Sequence, residues 1–185
     1  MKIGLINIGA ELLNGARTDT NAAWIGQHVI PSGGSVEWHM TVTDKKEAIV
    51  NALDTVPKSI EAVLCTGRLG PTHDDITATV LYEYFGAQPE FDEDYWTLLT
   101  EKFSARGHTI PESNRNQAIK PDIGEVIPNP VGSARGLHFT HNHYDCFAMP
   151  GVPSEMKAMM LATILPWIAS KSEVKHHIKI MRTTG

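Results

Sequence analysis

Cysteine is nearly absent from this chain, with only Cys65 and Cys146 among 185 residues. No CxxC pair is present, and each cysteine sits in an apolar, strand-like run. Both therefore read as buried thiols of a reducing compartment, a catalytic thiol being the lesser reading. Long hydrophobic runs are missing as well: none approaches the roughly 18 apolar residues of a membrane span. Residues 1–8 are too short for a signal peptide's apolar region and lack a small-residue cleavage pattern. Basic excess is also lacking. Lys and Arg total 16 against 21 Asp and Glu, a net charge of −5, so no overall field favours nucleic acid or an anionic membrane. These absences predict a cytoplasmic protein with neither kind of partner. No internal repeat or low-complexity segment occurs.

What is present is an ordinary globular composition, 42% hydrophobic and 20% charged, in a length that suits one domain able to bury its own core. Lys2–Ile8 is a near-continuous apolar run ending at Gly9, as expected of a parallel strand buried on both faces. Asp19 or Thr20 can cap a helix carrying Ala22, Ala23, Ile25 and Val29, stopped by Pro31 and Gly33-Gly34. Residues 35–43 form a second strand. Thr43 or Asp44 then caps a helix with Ala48, Ile49, Ala52, Leu53 and Val56 on its apolar face. Ala62–Thr66 is a third strand, and Asp74 or Asp75 starts the next helix, with Ile76, Val80, Leu81 and Tyr84 inward. Alternating strands and helices with short loops predict a doubly wound α/β sheet. Ligands of such sheets bind outside the carboxyl ends of the strands, which brings the loops at Gly9, Asp44 and Gly67 to one edge.

Further along, 92–106 reads as an amphipathic helix with Tyr95, Leu98, Leu99 and Phe103. Residues 137–149 read as a hairpin, Pro150-Gly151-Val152-Pro153 as a turn, and a helix capped near Ser154 runs through Ile168. Residues 174–181 are a candidate last strand. The expected division is a domain over 1–170, with 171–185 the start of a following segment or a truncated tail.

The strongest chemical signal is Thr66-Gly67-Arg68-Leu69-Gly70-Pro71-Thr72-His73-Asp74-Asp75-Ile76-Thr77. It follows a strand and opens a helix. Two glycines allow a tight turn and close backbone approach, and a helix amino terminus offers free N–H groups to phosphate. The adjacent carboxylates of Asp74 and Asp75 can hold a hard divalent cation or act simply as helix-capping and first-turn residues.

This loop resembles the TGGLGPTxDDxT signature of the CinA (competence/damage-inducible protein) family, related to the TGG loop of molybdopterin-binding proteins. Glu11-Leu12-Leu13 with Gly15 and Asp19-Thr20-Asn21 is similar to GDELLxG…DTN, and Asp44 falls where the family has VGD. Asn114 with Gln117-Ala118 and Pro121, Gly132-Ser133-Ala134-Arg135-Gly136, and Pro150-Gly151-Val152-Pro153-Ser154-Glu155-Met156 continue the similarity along nearly the whole chain. The resemblance implies a three-layer α/β/α sandwich with a mostly parallel sheet, of the amino-terminal, molybdopterin-binding (MoCF biosynthesis) type. It implies a site for a pterin- or nucleotide-type phosphate, and metal-dependent cleavage of the pyrophosphate in ADP-ribose-type substrates. The alternative is a non-catalytic molybdopterin- or nucleotide-binding module. The amidase activity of the carboxyl-terminal domain in full-length CinA proteins is not expected of this sequence, and a homo-oligomer, dimer or trimer, is the default assembly.

On that footing Asp44, Asp74 and Asp75 are the catalytic and metal-holding candidates, with Mg, Mn or Co as the cation. Thr66, Gly67, Arg68, Gly70, Thr72, Glu11, Asn21 and Ser133 are the ligand-binding candidates, and Glu155 is a secondary one. Three positions depart from the pattern. Ala10 stands in place of Asp, Arg68 in place of the second Gly, and Arg135 in place of Pro. Arg68 has three readings: it clamps an anion, it blocks the pocket, or it projects into solvent. His141 and His143 can chelate weakly but read as a solvated turn, His73 can reach a phosphate, and Met156, Met159 and Met160 read as core.

Overall fold

The computed structural model describes residues 1–70, 75–105, 107–141 and 143–172. Four strands run parallel: β1 (Lys2–Ile8), β2 (Ser35–Val42), β3 (Ala62–Thr66) and β8 (Asp145–Met149). The described sheet has the order β2-β1-β3-β8-β7-β6. Its last two members, β7 (Gly136–Thr140) and β6 (Glu125–Ile127), are antiparallel. A hairpin thus closes one side of an otherwise parallel sheet, which is why β8 and β7 need only a short turn between them.

Alternation along β1 builds both cores at once. Ile6 and Ile8 face a cluster with Val63, Cys65, Ile49, Leu53 and Leu81, beneath α3 (Lys46–Asp54) and α4 (Thr77–Phe85). Ile3 and Leu5 face the other way, joining Leu64, Ile25, Val29, Phe147 and Met149 beneath α2 (Thr20–Val29) and the last helical segment. The result is the three-layer α/β/α sandwich expected from the sequence. Met156, Met159 and Met160 are fully buried there, as core residues. A small antiparallel pair, β4 (Pro89–Phe91) and β5 (Ile119–Pro121), sits with α5 (Glu93–Ser104) as an extension.

Several boundaries differ from expectation. The residue preceding α3 is Lys45, and no side chain caps that helix. Asp44 makes an ion pair with Arg68 instead. Helix α4 begins at Thr77, with Ile76 as its boundary residue, so Asp75 precedes the helix and does not start it. Tyr82, not Tyr84, is the buried tyrosine of α4; Tyr84 donates its hydroxyl to Asp54 Oδ1 at 3.0 Å. Ala23 and Leu98 are exposed. The final helix is not uniform. It runs as α6 (Pro153–Met159), a wider π turn over Met160–Ile164, and α7 (Leu165–Lys171). Pro166 lacks the N–H that would bond one turn back, and the wider turn before it absorbs that loss. The candidate strand at 174–181 lies outside the described residues.

Cys65 and Cys146 are buried with their Sγ atoms 3.9 Å apart. Contact with Cys65 and burial push the Cys146 thiol well above its ordinary range. Native protein should therefore resist a disulfide-exchange reagent until urea unfolds it. Leu64→Ala, which empties a central core position, should cost about 2–5 kcal/mol in urea denaturation. Rapid thiol labelling of the folded protein would contradict this packing.

Candidate functional site

The carboxyl ends of β1, β3 and β8 meet through glycine backbone. Gly67 has φ +117°, and a Cβ there would lie 2.1 Å from the Ile8 carbonyl oxygen. Only glycine fits that approach. The Gly67 N–H donates to Met149 O at 3.1 Å, tying β3 to the end of β8. Thr77 Oγ1 donates to Gly67 O at 3.0 Å, and the Thr77 N–H donates to Arg68 O at 3.1 Å, which fastens α4 beneath the loop.

Side chains complete the floor. Asn21 Nδ2 donates to Thr66 Oγ1 at 3.2 Å and to Gly151 O at 3.0 Å, while Thr66 Oγ1 donates to Pro150 O at 3.0 Å. Asp19 caps α2 by accepting from the Ala22 N–H and also accepts from Asn7 Nδ2. These partners fix both amides, because a carboxylate and a backbone carbonyl can only accept. The two amide oxygens, Asn7 Oδ1 and Asn21 Oδ1, are consequently buried without a partner. Asn7 is 1% exposed and Asn21 9%.

Above this floor lies a cleft of about 960 Å³. Glu11, Asn21, Thr66, Gly67, Arg68, Gly70 and Ser133 all line it, together with Asp75 and Glu155. Asp44 stands behind Arg68, whose Nη2 lies 2.9 Å from Asp44 Oδ2 and 3.4 Å from Glu11 Oε2. Arg68 holds φ +49°, the sole positive φ outside glycine among the described residues. That conformation costs a side-chain-bearing residue on the order of 1–3 kcal/mol. Thr72, His73 and Asp74 lie outside the described residues. Among the described residues no group of three or more His, Cys, Asp or Glu is arranged to hold a metal ion. With the Asp44 carboxylate held by Arg68, the described donors do not fit a divalent cation as they stand.

A second chamber of about 500 Å³ adjoins the cleft, sharing Leu69, Gly70, Asp75, Gln117 and Ala134 with it. Ala78, Tyr82, Ala87, Ile119 and Leu137 give it apolar walls. Arg135 belongs to this chamber and not to the main cleft. It is bound to Asp92 Oδ2 at 2.6 Å and lies over the Tyr95 ring, so it serves as a structural anchor. Burial disfavours charge on Asp92, but Arg135 and the Tyr95 N–H outweigh it and hold the carboxyl below its ordinary value. His141 packs among Tyr84, Phe85 and Tyr144 and is not a solvated turn residue.

Sequence reasoning passed over Asn7 and Arg17, and it read Asp19 as a helix cap and motif residue but not as a site residue; all three line the cleft. The signal for Asn7 was available: it is the lone amide in the apolar run of β1.

A family model described as "Probable molybdopterin binding domain" matches residues 4–170. A CinA protein of unknown function from Thermoplasma acidophilum superposes with a TM-score of 0.79 at 30% identity, covering 90% of this chain and 97% of that one. The chain belongs to the CinA family's molybdopterin-binding-type domains. A CinA-like protein of Geobacter sp. (strain M21) is 43% identical over 173 residues, 92% of this chain and 41% of that protein. One from Salinibacter ruber is 38% identical over 189 residues, 100% of this chain and 46% of that protein. This CinA-type domain thus spans less than half the length of those curated relatives. The molybdopterin biosynthesis enzyme MoaB from Thermus shares the fold, with a TM-score of 0.57 at 16% identity. No helix of the described residues is long and apolar enough to cross a membrane.

Glu155 gives this edge of the cleft a pH dependence. Burial pushes its carboxyl above the ordinary 4.5, against a hydrogen bond from Asn129. The folded state holds this proton more tightly than the unfolded chain does, so the stability it adds below 4.5 is lost as pH rises through the folded value. Glu155→Gln should raise the urea midpoint at neutral pH, with the difference vanishing at about pH 4 and below. A neutral-pH midpoint unchanged or lowered would contradict that burial.

Proposed function

We propose that this domain binds a phosphorylated heterocycle of the nucleotide or pterin class, molybdopterin included. Its phosphate lies along the backbone of 67–70 and its ring in the adjoining apolar chamber. The observation that carries this reading is the pair of buried amide oxygens, Asn7 Oδ1 and Asn21 Oδ1, which have no donor and belong to residues at the wall of the cleft. A buried unsatisfied acceptor costs about 1–3 kcal/mol, and a ligand bearing hydroxyl or N–H groups removes that cost. Loop glycines permit the close backbone approach that phosphate binding uses.

Metal-dependent cleavage of an ADP-ribose-type pyrophosphate is the second reading, favoured by Asp75 lining the cleft beside Gly70. It assigns metal to Asp44, Asp74 and Asp75 and requires Arg68 to release Asp44. The oligomeric state, a dimer or trimer, belongs with these proposals.

Calorimetry in EDTA distinguishes the parts of the first reading. AMP should bind, and inorganic pyrophosphate should bind more weakly. Ala78→Phe, which fills the chamber wall, should weaken AMP about tenfold and leave pyrophosphate within about twofold, the loss of a ring contact being worth about 1.4 kcal/mol. Absence of binding by both compounds would sink the reading, and equal weakening of both would remove the ring from the chamber. Turnover of ADP-ribose with Mn²⁺ would establish the second.

A further inference from the structure

We propose that Arg68 is the resident cation of this cleft, standing between Asp44 and Glu11 in place of a divalent metal, so that phosphate binding there is independent of metal. This rests on the phosphate-binding reading above and adds to it the source of positive charge.

The argument is one of charge and donors. Glu11, Asp19, Asp75 and Glu155 line the cleft, against the two cations Arg17 and Arg68. Arg17 is exposed, whereas Arg68 is partly buried. An anion entering such a surface meets carboxylate repulsion unless a cation sits inside. Arg68 is that cation. Its Nη2 lies 3.4 Å from Glu11 Oε2 and 2.9 Å from Asp44 Oδ2, so its single charge is shared between two carboxylates and offsets one of their two charges. Its Nε is buried without a partner, so the guanidinium keeps donor capacity beyond the carboxylates it already serves. The strained φ of +49° places this side chain inward at the phosphate loop, beside Gly67. The amide oxygens of Asn7 and Asn21, without donors in side chains more than nine-tenths buried, independently mark the same cleft as a place where a ligand is met. Arg68 already engages the Asp44 and Glu11 carboxylates that a metal in its place would use, and Ala10 offers none.

Two measurements on the whole chain test this. In the first, Mn²⁺ alone is titrated into wild type, Arg68→Gly and Arg68→Gln by electron paramagnetic resonance. Arg68→Gly removes charge and backbone strain together, while Arg68→Gln removes the charge with the backbone demand retained. Both variants should bind Mn²⁺ at least tenfold more tightly than wild type, and adding Asp44→Asn should abolish the gain. Equal Mn²⁺ affinity in wild type and both variants would overturn the proposal. In the second, AMP is titrated with EDTA and with Mn²⁺. Wild type should bind alike in both, within twofold, and each variant should lose tenfold or more in EDTA and recover in Mn²⁺. Wild-type binding that requires Mn²⁺ would also overturn it. If no protein binds AMP, the phosphate-binding reading fails, while the Mn²⁺ contrast still decides whether Arg68 occupies the cation position.

Discussion

The approach of Gly67 to the Ile8 carbonyl is the constraint from which the cleft follows. A Cβ at that position would sit 2.1 Å from a backbone oxygen, and the oxygen cannot retreat without displacing β1, which is paired on both sides. Glycine therefore fixes how closely the ends of β1 and β3 converge. Gly151 repeats the device from the β8 side, where a Cβ would lie 3.2 Å from Gly67 Cα. Three adjacent parallel strands thus deliver their loops into contact. The hydrogen bonds of Thr66, Asn21 and Thr77 then lock those loops to one another.

Arg68 inherits its conformation from that turn. A chain leaving Gly67 with positive φ and returning to α4 through the Thr77 contacts takes residue 68 into the left-handed region as well. Glycine would occupy it without strain; arginine does so at a cost. The ion pairs with Asp44 and Glu11 offset that cost in a partly buried setting, where charge pairs are screened less than on an open surface. Asp44 is the partner of Arg68, and α3, whose N-cap residue is Lys45, begins without a side-chain cap.

What was legible in the sequence divides along the same line. The runs of β1 and β3 and the faces of α2 and α3 are local patterns, and apolar periodicity reads them directly. The Gly-containing loop was legible because close backbone approach has a compositional signature. The partner of Asp44 was not, because residues 44 and 68 meet only once the sheet has formed. Arg135 was grouped with Arg68 by resemblance, yet its anchor, Asp92, belongs to the small extension built by β4, β5 and α5. Asn7 was hidden differently. Its neighbours in β1 all argue for core, and an amide in such a run shows its purpose only when its donors and acceptors are counted in three dimensions.

That count also gives the cleft a direction. Beside α2 it presents acceptors, the oxygens of Asn7 and Asn21, with the Asp19 carboxylate adjacent. At the 67–70 loop it presents glycine backbone and the Arg68 guanidinium. On the proposed reading, phosphate lies along the loop and the ligand's hydroxyl or N–H groups lie towards α2, where the Asn and Asp oxygens can accept from them. The apolar chamber opens from the shared wall at Leu69, Gln117 and Ala134, so a ring attached to such a molecule leaves the polar cleft at one fixed place.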